Sequence, residues 1–219
     1  MKLTKKKVVL AAVAVCLVAI LSMGTLAWFS AEDSVTNNFY IADSNDDGEA
    51  DFTVDVEESN DGGATWEDED GLTFTDILPG DTYDKWARVV NTSDSASDRY
   101  TQYIRATITV EGTPEWKDTV DGEEITLKDY LGIDETAWTI TSYTYDAATQ
   151  TSKIVMYYNE VLAESANVDV FRTVTIPSNF VNDANSALNL DDFSINVYAE
   201  AIQAENTADN AIDAFALLG

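Results

Sequence analysis

Trp138-Thr-Ile-Thr-Ser-Tyr-Thr-Tyr145 is followed, after Asp146-Ala-Ala-Thr149, by Lys153-Ile-Val-Met-Tyr-Tyr158, and the fold turns on this stretch. Both runs are dense in β-branched and aromatic residues, which fit a pleated surface and lose rotamer freedom in a helix. A strand sends successive side chains to opposite faces, so near-alternation of apolar and polar residues predicts strands with one buried and one wet face. The Asp-Ala-Ala-Thr stretch between them predicts a turn.

The same pattern extends in both directions. Phe52-Thr-Val-Asp-Val56 alternates, as does Thr107-Ile-Thr-Val110 in phase with Ile104 and Ala106. Val170-Phe-Arg-Thr-Val-Thr-Ile176 and Phe193-Ser-Ile-Asn-Val-Tyr198 continue the theme. Asn60-Asp-Gly-Gly63, Pro79-Gly-Asp81 and Asp121-Gly122 punctuate it with turn residues whose glycines admit positive φ. Strands at this spacing predict an all-β antiparallel sandwich of the jelly-roll kind, a single domain over residues 42–219. Two short helices are expected. One is Leu127–Leu131. The other runs from Asp209 to Leu218, capped by Thr207 or Asp209, with Ile212, Phe215 and Ala216 on one face.

The N-terminus reads differently. Lys2, Lys5, Lys6 and Lys7 precede an uncharged run from Val8 to Ala31, and Thr25-Leu-Ala27 places small residues where a signal peptidase wants them. Residues 1–27 are therefore expected to be a cleavable signal peptide, cut between Ala27 and Trp28. An uncleaved leader would instead anchor the chain, since the run exceeds about 18 apolar residues. Cys16 is an ordinary residue of the apolar run. Beyond Ala27 lie all 40 acidic residues and eight of the 12 basic ones, a formal charge of −32. That charge repels nucleic acid and anionic membranes and opposes self-association until cations or acid damp it. Aromatics at 11% and hydrophobics at 45% supply a core, which excludes disorder. Residues 28–219 contain no cysteine and no histidine, so disulfides, thiol chemistry, histidine triads and zinc sites are all excluded.

Gly24-Thr-Leu-Ala-Trp-Phe-Ser followed by Asp33-Ser-Val-Thr-Asn-Asn-Phe39 resembles the export signal read by SipW-type signal peptidases. Leu78-Pro-Gly-Asp81, Val89-Val-Asn91, Tyr103-Ile-Arg105 and Ala199-Glu-Ala-Ile-Gln-Ala204 extend the resemblance to the TasA/camelysin (CalY) family of Gram-positive bacteria. The resemblance implies a jelly-roll sandwich and a secreted, extracellular or cell-surface biofilm-matrix protein that polymerises into fibres with itself or related subunits. It also implies that the freed N-terminal segment, residues 28–41, enters the next subunit as a strand. Main-chain hydrogen bonds would then give affinity, and Trp28, Phe29, Val35, Phe39 and Tyr40 would be the knobs that set register. Val35–Ile41 reads equally well as the first strand of its own domain. Camelysins have been classed as metalloproteases, but this chain has no His-Glu-x-x-His motif and no histidine at all, so that activity does not carry over.

Three constellations remain. Asp43, Asn45, Asp47, Glu49 and Asp51, with Gly48 at the sixth position, match the opening of a calcium loop. The twelfth position holds Val54 where an EF-hand needs Glu, so the loop is read either as a calcium site or as a solvated acidic turn. No cofactor is otherwise required. The pairs Glu57-Glu58, Glu123-Glu124 and Asp191-Asp192 are adjacent in sequence, whereas a glycosidase needs two facing carboxylates from separate elements. No catalytic residue is assigned. Trp66, Trp86, Trp116 and Trp138 could form a sugar-stacking surface, which would suit a monomeric secreted module binding carbohydrate or protein. In a strand-rich chain such rings more often fill the core or cross-strand pairs.

Overall fold

The computed structural model describes residues 30–34, 37–39, 52–67, 72, 74, 76–93, 100–181, 183 and 185–218. The leader, the junction Ala27–Trp28, the residues Trp28, Phe29, Val35 and Tyr40, and the acidic loop with Asp43, Asn45, Asp47, Glu49 and Asp51 lie outside the described residues. Eleven strands are described: β1 (Ser30–Ser34), β2 (Asn37–Phe39), β3 (Val54–Ser59), β4 (Thr82–Asn91), β5 (Gln102–Glu111), β6 (Lys117–Val120), β7 (Glu123–Thr126), β8 (Trp138–Asp146), β9 (Thr151–Tyr158), β10 (Asn167–Thr175) and β11 (Ser194–Gln203). Two short helices join them, α1 (Leu127–Tyr130) and α2 (Ala211–Ala216).

The strands pair antiparallel into a six-stranded sheet, ordered β2-β1-β11-β5-β9-β8, and a three-stranded sheet, ordered β10-β4-β3. A small hairpin, β6-β7, turns at Asp121-Gly122. The chain is therefore all-β, and the two larger sheets share one core. Val54, Val56, Ala87, Val89, Val168 and Val170 come from the small sheet. Ile104, Ile108, Ile154, Met156 and Val197 come from the large one. Each such side chain contributes about 1.5–3 kcal/mol by leaving water. The alternation read from the sequence is the alternation of burial: in β5, Ile104, Ala106, Ile108 and Val110 are buried and the residues between them are partly wet.

The strand β4 departs from that legible pattern. Lys85, Ala87, Val89 and Asn91 point inward, so two of its four buried positions are polar. Asn91 is satisfied there: its Nδ2 donates to the Tyr100 and Leu162 carbonyls at 2.7 and 3.2 Å, and its Oδ1 accepts from the Ser93 N–H at 3.1 Å. Gln102 donates to the Thr53 carbonyl at 2.7 Å. These amides tie the start of β3, the end of β4 and the start of β5 at one end of the sandwich. A lateral seam is closed by Trp138, whose indole N–H donates to the Asp169 carbonyl of β10 at 2.8 Å.

Helix α2 is shorter than expected and rotated. Asn210 caps it, accepting from the Asp213 N–H at 3.0 Å, rather than Thr207 or Asp209. The later start turns Ala211, Ala214 and Phe215 inward and leaves Ile212 42% exposed. The buried trio packs on Tyr103 and Ile202, which point out from the large sheet. The Phe215 ring meets Tyr157, with Arg105 over it. The helix thus covers part of the outer face of the large sheet. Among the described residues no helix is long and apolar enough to cross a membrane.

Candidate functional site

The N-terminal segment is the first candidate. β1 runs antiparallel to β11, with Ser30 opposite Ile202 and Ser34 opposite Tyr198. β2 pairs antiparallel with β1, Phe39 opposite Glu32. The sequence suggested a single strand over Val35–Ile41. Within that window the described residues Asn37–Phe39 form β2, paired with β1 of the same chain, and β1 precedes the window. Phe39 lies on β2. β1 also runs alongside β3 of the small sheet, so this hairpin sits at the edge where the two sheets meet. The segment thus forms one edge of its own chain's large sheet.

The four tryptophans divide into two pairs. Trp116 and Trp138 are 0% and 1% exposed and belong to the core. Trp66 and Trp86 lie half-buried on the outer side of β4, their rings at 69° to one another with centroids 6.3 Å apart. They are not coplanar, and both carry a guanidinium. Arg88 stands 3.7 Å above the Trp66 ring and Arg172 lies 4.8 Å from the Trp86 centroid. Each arginine is paired in turn, Arg88 with Glu57 and Arg172 with Asp169, both at 2.5 Å. Gly63, at φ +83°, packs against both rings, and a Cβ there would come within 3.2 Å of Trp66 and 3.3 Å of Trp86. The ring faces a sugar would stack on are occupied by the chain's own cations and backbone. This arrangement braces the small sheet, since cation–π contacts contribute about 0.5–2 kcal/mol each.

Asp61 holds the loop that carries Trp66. Its carboxylate accepts from the backbone N–H groups of Thr65 at 3.0 Å and Ala64 at 2.9 Å, and from the hydroxyls of Ser59 and Thr65 at 2.7 Å. These donors, the Thr65 N–H first, hold the carboxyl far below the usual aspartate range. A depressed folded-state value means that the stabilisation is complete above the ordinary value of about 3.9 and drains away as pH falls beneath it. The stability gap between wild type and Asp61→Asn, measured by urea unfolding, is therefore expected to be constant at neutral pH and to narrow on acidification through that value. A gap that stays unchanged through the same acidification contradicts this account.

Lys85 and Glu58 form the one deeply buried ion pair among the described residues. Lys85 Nζ lies 2.5 Å from Glu58 Oε2, and the residues are 6% and 2% exposed. The Leu72 N–H also donates to Oε2 at 3.3 Å, while Glu58 Oε1 has no partner among the described residues. The sequence carried a signal for this pair that went unread: Glu58 keeps the phase of Val54 and Val56, and Lys85 that of Ala87 and Val89. Among the described residues no three Asp, Glu, Cys or His side chains converge to hold a metal. Glu57 and Glu58 face opposite sides of β3, Glu57 paired outside with Arg88 and Glu58 inside with Lys85. Glu124 pairs with Lys117.

No family model, curated protein or solved structure matches the chain.

Proposed function

We propose that this chain is a secreted matrix or cell-surface structural protein of the TasA/camelysin kind, a jelly-roll sandwich that assembles into fibres by donating its N-terminal strands. One observation carries the reading: β1 and β2 form the edge of the large sheet, and β1 pairs with β11 in register from Ser30 to Ser34. Such an edge accepts the same segment from another copy with no new contact type, which is the low-cost exchange of identical elements between protomers. The 12 residues between Phe39 and Phe52 are the tether that would span the two copies, and they include the acidic stretch from Asp43 to Asp51. No residue is assigned to covalent chemistry. With a formal charge of −32 on residues 28–219, calcium or mild acid is expected to favour assembly.

A cysteine lock tests strand donation. Ala31 and Ala201 are register partners, and the processed chain has no other cysteine. The double variant Ala31→Cys/Ala201→Cys, starting at Trp28, is expected to remain monomeric when oxidised within one chain and to form filaments by electron microscopy once reduced. Filaments that grow equally well from the locked monomer would rule out donation.

A further inference from the structure

The large sheet has two edges, and only one carries the N-terminal hairpin. The other is β8, whose backbone from Thr139 to Asp146 bonds to β9 and to no other segment among the described residues. Edge strands of soluble proteins are normally kept short or guarded by lysine, proline or a bulge. β8 has nine residues, no proline and no charge from Trp138 to Tyr145. Its one guard is a register shift between Ile140 and Ser142. Beyond that shift Ser142, Tyr143, Thr144 and Tyr145 continue as regular ladder into Asp146, and Ser142 and Thr144 are exposed. Elsewhere, two copies that approach one another bring like charges together, because the chain carries 40 acidic residues against 12 basic ones. β8 itself adds no charge before Asp146, and the residue on β9 opposite Thr144 is a cation, Lys153, although Glu115 lies near the Tyr143 and Tyr145 side chains.

We infer that β8 is a self-association edge: it pairs antiparallel with β8 of a second copy about a two-fold axis at Thr144, joining two six-stranded sheets into one. This rests on the self-assembly reading above and adds a contact that does not use the N-terminal segment. Pairing about Thr144 sets Tyr143 of one copy opposite Tyr145 of the other. Aromatic cross-strand pairs of this kind stabilise sheets by about 0.2–1 kcal/mol each. A short edge ladder buries much less than the roughly 1,200–2,000 Å² of a stable standard interface. The contact is therefore weak between free monomers and becomes effective where copies are already held side by side, as along neighbouring fibres.

The processed chain offers a clean test because it has no cysteine of its own. Thr144→Cys places a thiol at the proposed axis. Thr109→Cys places one on the same outer face, two strands in from the edge and opposite Lys153 of β9. Under mild oxidation at high protein concentration, Thr144→Cys is expected to give a disulfide-linked dimer roughly tenfold faster than Thr109→Cys, because pairing raises the local thiol concentration only at the axis. Adding Ser142→Lys should remove that advantage while far-UV circular dichroism stays unchanged. Equal rates, or faster linkage at position 109, would overturn the β8 contact. Cross-linking at position 144 without filaments would sink strand donation and leave this contact standing. Filaments with no preference for position 144 would do the opposite.

Discussion

Lys85→Met is expected to destabilise the protein by about 3–5 kcal/mol, the largest loss among single substitutions of the ion-paired charges described. The Lys85 side chain is 7% exposed, and its removal leaves the Glu58 side chain, 3% exposed, with the Leu72 N–H as its one remaining partner among the described residues. Taking an ion from water costs several kcal/mol, and here the partner's attraction at 2.5 Å offsets that cost. One half without the other retains the cost and loses the compensation. For a chain of this size the melting temperature should fall by about 10 °C. Glu58→Leu should do comparable damage by stranding the lysine. The double variant Lys85→Met/Glu58→Leu is expected to recover most of the loss, since packed apolar groups of similar volume replace such pairs at little cost. Thermal melts of the three variants check this as a double-mutant cycle. A double variant no better than the worse single would show that the positions matter for shape rather than for charge.

The same pair explains where sequence reading stopped. Strands β5, β8 and β11 were visible because most of their inward positions are apolar and most outward ones polar, so chemistry and geometry share a period, while β9 showed itself by its run of β-branched and aromatic residues. β4 hides because Lys85 and Asn91 occupy inward positions while Trp86 and Val90 lie outward. Alternation is present but its polarity is mixed, and only the phase of Ala87 and Val89 reveals it. The β6-β7 hairpin hides for another reason. Lys117, Asp118, Glu123 and Glu124 leave it without an apolar face, and only its Asp121-Gly122 turn announced it. In α2 the error was one of frame: Asp209 and Asn210 are both good caps, and choosing between them decides whether Ile212 or Ala211 faces the sheet. The tryptophans could not be sorted from sequence, because burial of Trp116 and exposure of Trp66 depend on which loops fold over them.

Trp116 shows what that sorting means for stability. Its ring lies in edge contact with Tyr130 of α1, Phe180 and Phe193, at centroid distances of 6.0, 6.1 and 6.0 Å. Its indole N–H donates to the buried Thr113 hydroxyl at 2.9 Å. Four separate stretches of chain therefore meet on one side chain. The approach is tight: Gly112, at φ +86°, passes so close to the Asp192 carbonyl that a Cβ would stand 2.8 Å from its oxygen. Trp116→Ala empties the centre of this cluster and is expected to cost about 3–5 kcal/mol, the range for a large aromatic removed from a core. Trp116→Phe keeps most of the volume but leaves the Thr113 hydroxyl without its donor, so a smaller loss of about 1–3 kcal/mol is expected. Trp66→Ala, on the outer face, loses a cation–π contact and should cost about 0.5–2 kcal/mol. Urea unfolding of the three variants should rank them in that order, Trp116→Ala lowest. If Trp66→Ala instead proved the most damaging, the outer brace rather than the Trp116 cluster would be the larger contributor to stability.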